Sequence, residues 1–202
     1  MFGNNPYAQA GWHNPQNPHS INSCPWRPNS SLPPTFGMLP SPQSKPASVL
    51  TFTFTSMNPD IYNCIVIGPN QQKYFEVRTS SGNTVISKPG SAFAIIGWSQ
   101  HPTVEANGVL SIQRTRDFVK LSADKTYRTM VIGGKTYAWV PRSHGVYLYS
   151  YGPNPPEQYA RLSLADDHIT ITLELTSESF QAGLFEPCII SALLLFCGRN
   201  ID

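Results

Sequence analysis

Residues 186–197 read EPCIISALLLFC, and this stretch decides the fold. Pro187 stands near the start of the run, where a helix has no use for its missing N–H, and Gly198 and Arg199 follow where a helix stops. The run therefore predicts a helix at about 186–197. Its apolar residues, Ile189, Ile190, Leu193, Leu194 and Phe196 among them, occupy every face and leave no polar side for water. A helix apolar all round is buried, either in lipid or in a protein core. At ~1.5 Å per residue this one spans only about half of a ~30 Å hydrocarbon layer, so it predicts a core helix and no membrane crossing. Ser191 and Ala192 on it allow close approach of a neighbouring strand.

Something must surround such a helix, and the residues before it supply strands. Val49 to Thr55 sets Leu50, Phe52 and Phe54 against Thr51, Thr53 and Thr55, the period of a half-buried strand. The same reading gives strands at 62–67, 73–78, 84–87, 92–98, 109–113, 117–121, 127–132, 136–140, 146–149, 159–164 and 168–175. Turn signals punctuate them at Ser81, Gly82 and Asn83, at Asn107 and Gly108, and at Gly133 and Gly134. About a dozen short strands at this spacing predict an antiparallel β-barrel of about 12 strands, mainly β in class. The helix then plugs its interior.

Upstream the texture is different. Residues 1–46 hold 10 of the 19 prolines, much Asn, Gln and Ser, and no acidic residue. Such a segment cannot bury enough surface to offset its chain entropy, so residues 1–47 are expected to form a disordered Pro/Asn-rich tail and residues 48–202 the folded domain. Single apolar residues along the tail, including Tyr7, Trp12, Trp26 and Phe36, suit short contacts with a protein partner along an extended, polyproline-like segment.

Charge and cysteine usage narrow the classes further. The chain carries 14 basic and 12 acidic residues, and with Arg27 and Lys45 set aside the domain is neutral, which gives no electrostatic basis for nucleic acid. Residues 1–10 have neither a basic nor an apolar leader pattern, so the expected compartment is the cytosol. Cys24, Cys64, Cys188 and Cys197 follow no metal or redox spacing and read as free thiols. His13, His19, His101, His144 and His168 are too scattered for a metal site, and no cofactor is implied.

Several of these stretches carry a resemblance. Leu50, Thr51 and Phe52 before an Asn58–Pro59 turn, the strand Lys73 to Val77, Ile96 with Trp98, Gly134 to Trp139 and the terminal apolar helix resemble, in that order, an uncharacterised fungal family, domain of unknown function 6593. The layout is also similar, more distantly, to the tubby C-terminal fold shared with phospholipid scramblase and LURP-one-like proteins. That resemblance implies a barrel of about 12 strands enclosing a hydrophobic C-terminal helix, in a group whose members bind phosphoinositides or act at membranes.

Ser143 beside His144, and Asp166 and Asp167 beside His168, lack the setting of a nucleophile and base, because adjacent strand residues face opposite ways. Gly133, Gly134 and Lys135 lack the rest of a phosphate loop and read as a hairpin turn. Arg114, Arg116, Lys120, Lys125 and Arg128 are the local excess of positive charge. They form a candidate surface for anionic lipid or a partner if the strands carrying them are neighbours. The interleaved Asp117 and Asp124 favour a solvated face of mixed charge instead. Tyr147, Tyr149, Tyr151 and Tyr159 recur at spacings that share a face, as a binding surface or as a wall whose hydroxyls reach water. With no catalytic motif, the sequence points first to a non-catalytic interaction or adaptor module. A peripheral membrane protein binding anionic phospholipid or phosphoinositide is the alternative. A small-ligand carrier or enzyme comes third, since the plug helix fills the cavity such a ligand needs.

Overall fold

The computed structural model describes residues 48–202 apart from positions 59, 153, 154, 166, 168 and 169. The expectation of a disordered tail over 1–47, and the first two residues of the strand expected at 168–175, lie outside the described residues. In chain order the elements are β1 (Val49–Thr55), β2 (Cys64–Ile67), β3 (Lys73–Ser80), β4 (Asn83–Lys88), β5 (Ser91–Gly97), β6 (Thr103–Ala106), β7 (Leu110–Arg114), α1 (Thr115–Phe118) and β8 (Lys120–Leu121). They continue with β9 (Arg128–Ile132), β10 (Lys135–Arg142), β11 (Gly145–Ser150), β12 (Gln158–Leu164), β13 (Ile171–Thr176), α2 (Ser177–Gln181) and α3 (Phe185–Leu195).

All 13 strands belong to one sheet in the order β7-β6-β5-β4-β3-β2-β1-β13-β12-β11-β10-β9-β8. Every neighbouring pair is antiparallel. The order is a continuous meander joined to itself through β1 and β13, with a single break between β7 and β8. The sheet is therefore open, with β7 and β8 as its two edges, and the expected closed barrel of about 12 strands is not formed. At the break the chain runs through α1, where a strand is expected at 117–121. Phe118, the last residue of α1, and Val119 just after it are both buried.

Hairpin turns follow the local chemistry. Ser81 and Gly82 between β3 and β4, and Gly133 and Gly134 between β9 and β10, all have positive φ, the two-residue turn that matches strand twist. The Gly133–Gly134–Lys135 run is therefore a hairpin, as its sequence suggests. Gly145 opens β11 at φ +141°, and a Cβ there would lie 2.2 Å from the Leu162 carbonyl oxygen of β12, so only glycine permits this approach.

The inward side chains of the sheet, Phe52, Phe54, Val66, Phe75, Ile86, Ile96, Met130, Trp139, Leu148, Leu162, Leu173 and Leu175, form one core with α3. All eight helix residues from Pro187 to Leu194 are buried, as a helix apolar on every face demands. Strands from both halves of the sheet reach it. Phe185 packs against Phe52 of β1 and Phe75 of β3 at centroid distances of 4.7 and 5.5 Å, and the Ser191 hydroxyl donates to the Met130 sulfur of β9 at 3.6 Å. Beyond the helix, Tyr62 donates to the Cys197 carbonyl at 3.1 Å, and the Arg199 guanidinium lies over the rings of Tyr62 and Trp98 at 4.1 and 4.9 Å.

Candidate functional site

β10 and β11 are paired from Tyr137↔Ser150 to Arg142↔Gly145, and strand alternation sorts their side chains between two faces. Tyr137, Trp139 and Leu148 point into the core, which leaves Ala138, Val140, Tyr147 and Tyr149 on the outer face. Backbone bonds continue both ladders past the end of β11. The Tyr151 N–H donates to the Thr136 carbonyl at 3.0 Å, the Ser150 N–H to the Glu157 carbonyl at 2.9 Å, and the Glu157 N–H to the Ser150 hydroxyl at 2.9 Å. These bonds hold Tyr151 and Pro156 beside the strands.

The result is an outer groove of about 350 Å³ lined by Tyr127, Ala138, Val140, Arg142, Tyr149, Ser150, Tyr151 and Pro156. Tyr127 and Tyr151 of the groove lie 6.1 Å apart at 34°, and Tyr149 stacks at 6.2 Å, with 14° between planes, on Tyr147 outside it. The Tyr127 and Tyr151 hydroxyls are 3.5 Å apart, a contact that raises the Tyr127 pKa. Tyr151 is 57% exposed, far more than a side chain that only builds a wall. Arg161 closes one flank of the face, 5.6 Å from the Tyr147 ring, donating to Glu174 at 3.4 Å and to the His144 carbonyl at 3.3 Å. Tyr159 is placed elsewhere. It packs edge-on against Tyr137 at 5.3 Å, and burial together with its bond to Glu157 pushes its pKa up to about 12.

The basic residues expected to form one surface all fall on elements bounding the β7/β8 break. Arg114 ends β7, Arg116 is on α1, Lys120 is on β8 and Lys125 is in the following turn, all four exposed. Arg128, on β9, is committed. Its guanidinium donates to both oxygens of the Asp202 carboxylate at 2.8 and 2.7 Å and to the Val119 carbonyl at 2.9 Å. Asp117 lies 4.0 Å from Arg116, and Asp124 is held in the β8–β9 turn by Ser122 and Thr126, so acids interleave with the bases.

Ser143 and His144 are the two loop residues of the β10–β11 hairpin and are both exposed. Asp167 accepts from the Thr170 N–H at 2.8 Å just before the last strand, while Asp166 and His168 lie outside the described residues. Among the described residues no three His, Cys, Asp or Glu side chains gather as a metal site. Cys64 and Cys188 are buried free thiols, and burial drives the Cys64 pKa to about 12.

Sequence reasoning found the alternation of Tyr147, Tyr149 and Tyr151 but missed Tyr127, Val140, Arg142 and Pro156. These come from three other segments, which meet only through the pairing of β9, β10 and β11 and the connection to β12. No family model, no curated protein and no solved structure matches the chain.

Proposed function

We propose that this chain is a non-catalytic interaction module of tubby-like architecture whose binding surface is the tyrosine groove on the outer face of β10 and β11. The observation that carries the reading is the exposure of Tyr151 in a groove walled by Tyr127 and Tyr149, since tyrosines held at a surface are the residues that anchor protein contacts. The buried α3 and the continuous antiparallel meander support the tubby-like part, and the Pro/Asn-rich tail offers a second partner segment. Free thiols at Cys64, Cys188 and Cys197 suit a reducing compartment, which supports the cytosol. No helix among the described residues is long and apolar enough to cross a membrane.

The peripheral-membrane alternative loses support at Arg128, whose charge is neutralised by Asp202. A photo-crosslinking residue at position 151 of the full chain is expected to give a discrete protein adduct in cells that disappears in a Tyr127→Ala background. Vesicles containing phosphatidylserine or phosphoinositide are expected not to co-sediment the protein. Co-sedimentation abolished by Arg114→Ala, Arg116→Ala and Lys120→Ala together, with no adduct at 151, would replace this reading with the membrane one.

A further inference from the structure

We infer that Tyr127 and Tyr151 form an oxidative modification site, where a peroxidase and hydrogen peroxide join the two phenol rings into a dityrosine cross-link within one chain. The inference needs only these two side chains and stands apart from the reading of the groove as an interface.

The backbone brings the pair together across 24 positions of sequence. Tyr127 stands just before β9, where its N–H donates to the Ser122 hydroxyl at 3.2 Å and its carbonyl accepts from the Ser122 N–H at 2.9 Å. Tyr151 follows β11, and its N–H donates to the Thr136 carbonyl at 3.0 Å. From these anchors the rings meet with centroids 6.1 Å apart, 34° between planes and hydroxyl oxygens 3.5 Å apart. Groups held beside each other react far faster than groups that must meet by diffusion.

The chemistry follows from which ring atoms are near. In a tyrosyl radical the carbons free to couple are the two beside the oxygen, because the carbon opposite carries the side chain. Oxygens in contact therefore bring the reactive edges of the two rings together. Each phenol gives one electron and its hydroxyl proton to the oxidised peroxidase, and hydrogen peroxide ends as two waters. The two phenoxyl radicals pair their electrons in one carbon–carbon bond between ring positions beside the oxygens. Each bonded carbon then passes its hydrogen to its own ring's oxygen, which restores both phenols. The chain loses two hydrogen atoms in all.

Surroundings favour this pair over the alternatives. Tyr151 is 57% exposed and open to an oxidant, whereas Met130 of β9 and Trp139 of β10 are buried. Tyr137 meets Tyr159 edge-on at 84° and is itself buried. Tyr147 and Tyr149 stack, but among the described residues Tyr127 and Tyr151 are the one tyrosine pair whose hydroxyls touch.

The test treats the dilute full chain with a peroxidase and stoichiometric hydrogen peroxide. A monomeric product with dityrosine fluorescence is expected, lighter by two hydrogen atoms, in which trypsin leaves fragment 126–128 joined to fragment 143–161. Tyr127→Phe and Tyr151→Phe keep the rings but lack a phenol, and each is expected to lose the joined fragment while circular dichroism shows an unchanged fold. Tyr147→Phe and Tyr149→Phe should retain it. Urea-unfolded chain should yield it about tenfold less or lower, since the folded geometry is what sets the two rings side by side. A joined fragment that persists in Tyr127→Phe, or that forms equally well in urea, overturns the inference. A link confined to fragment 143–161, or one found only between chains, does so as well. So does a wild-type chain that gains oxygen on its thiols and forms no link.

Discussion

The meander meets itself on two sides of α3, and the two meetings are built differently. On one side β1 and β13 form a full antiparallel ladder of six residue pairs, from Val49↔Thr176 to Phe54↔Ile171, with Phe52 and Leu173 facing each other inward. On the other side β7 and β8 share no ladder. That break is bridged by α1, by the Thr115 hydroxyl donating to the Ile201 carbonyl at 2.7 Å, and by the Arg128–Asp202 pair, over the buried side chains of Phe118, Val119 and Ile201. One side is held by backbone hydrogen bonds and apolar burial, the other by a few side chains and the last residues of the sequence. Backbone ladders answer weakly to pH and salt, whereas an ion pair answers to both. The two sides should therefore respond to different perturbations.

The largest effect is expected where both sides depend on one element. Leu194 is 2% exposed on the helix both sides enclose, so Leu194→Asp places a charge where it has neither water nor partner. A loss of roughly 3–5 kcal/mol or more is expected, which exceeds much of a small domain's stability. Circular dichroism should show a chain without a cooperative melt; a folded, soluble variant would mean that α3 is not the common core. Next in size is the ladder side. Leu173→Ala removes a fully buried side chain facing Phe52 and is expected to cost about 2–5 kcal/mol in urea denaturation. A loss below about 1 kcal/mol would show that this side collapses around the cavity and that the ladder is not tightly packed.

The contrast also explains what was legible in the sequence. β1 could be read from its threonine–phenylalanine alternation because one of its faces is buried and the other is not. α3 could be read because Pro187, Gly198 and the apolar run between them are all local. β6 went unread: it has four residues, and only Val104 and Ala106 face inward. α2 was unread as well, since a single helical turn carries no period. The ladder between β1 and β13 is invisible locally because it joins residues more than a hundred positions apart. The same distance conceals the fate of Arg128. Its neighbours in sequence make it look like part of a basic surface, yet its partner lies 74 residues away at Asp202. The groove was half legible for this reason too, its tyrosines on β11 being local and its other wall being tertiary.

The side without a ladder is where smaller effects should appear. Arg128→Ala leaves the Val119 carbonyl and the Asp202 carboxylate without their donor, and a loss of roughly 1–2 kcal/mol is expected, discounted because the Asp202 side chain is 45% exposed. Hydrogen exchange should localise that loss, accelerating amides of β8 and β9 while those of β1 and β13 keep their protection. Uniform acceleration across the sheet would mean that the two sides open together.

The smallest effect is the most diagnostic of the difference. Hydrogen bonds from Arg128 hold the Asp202 carboxyl below the usual carboxylate range, with its partial burial opposing them. A carboxylate with a lowered pKa in the folded state stabilises the fold fully above its unfolded pKa of about 3.9. That contribution is lost as pH falls through the lower, folded value, because the unfolded chain then takes up the proton first. At this exposure its size is expected to be below about 1 kcal/mol. Wild type and Asp202→Asn should therefore differ in melting temperature at pH 7 and converge as the pH drops below about 4, and added salt at pH 7 should narrow the gap in the same direction. Exchange measured across that range should loosen β8 and β9 before β1 and β13. If acid loosens the ladder side first, the Arg128–Asp202 pair is not what holds the break together, and apolar burial of Phe118, Val119 and Ile201 carries that side alone.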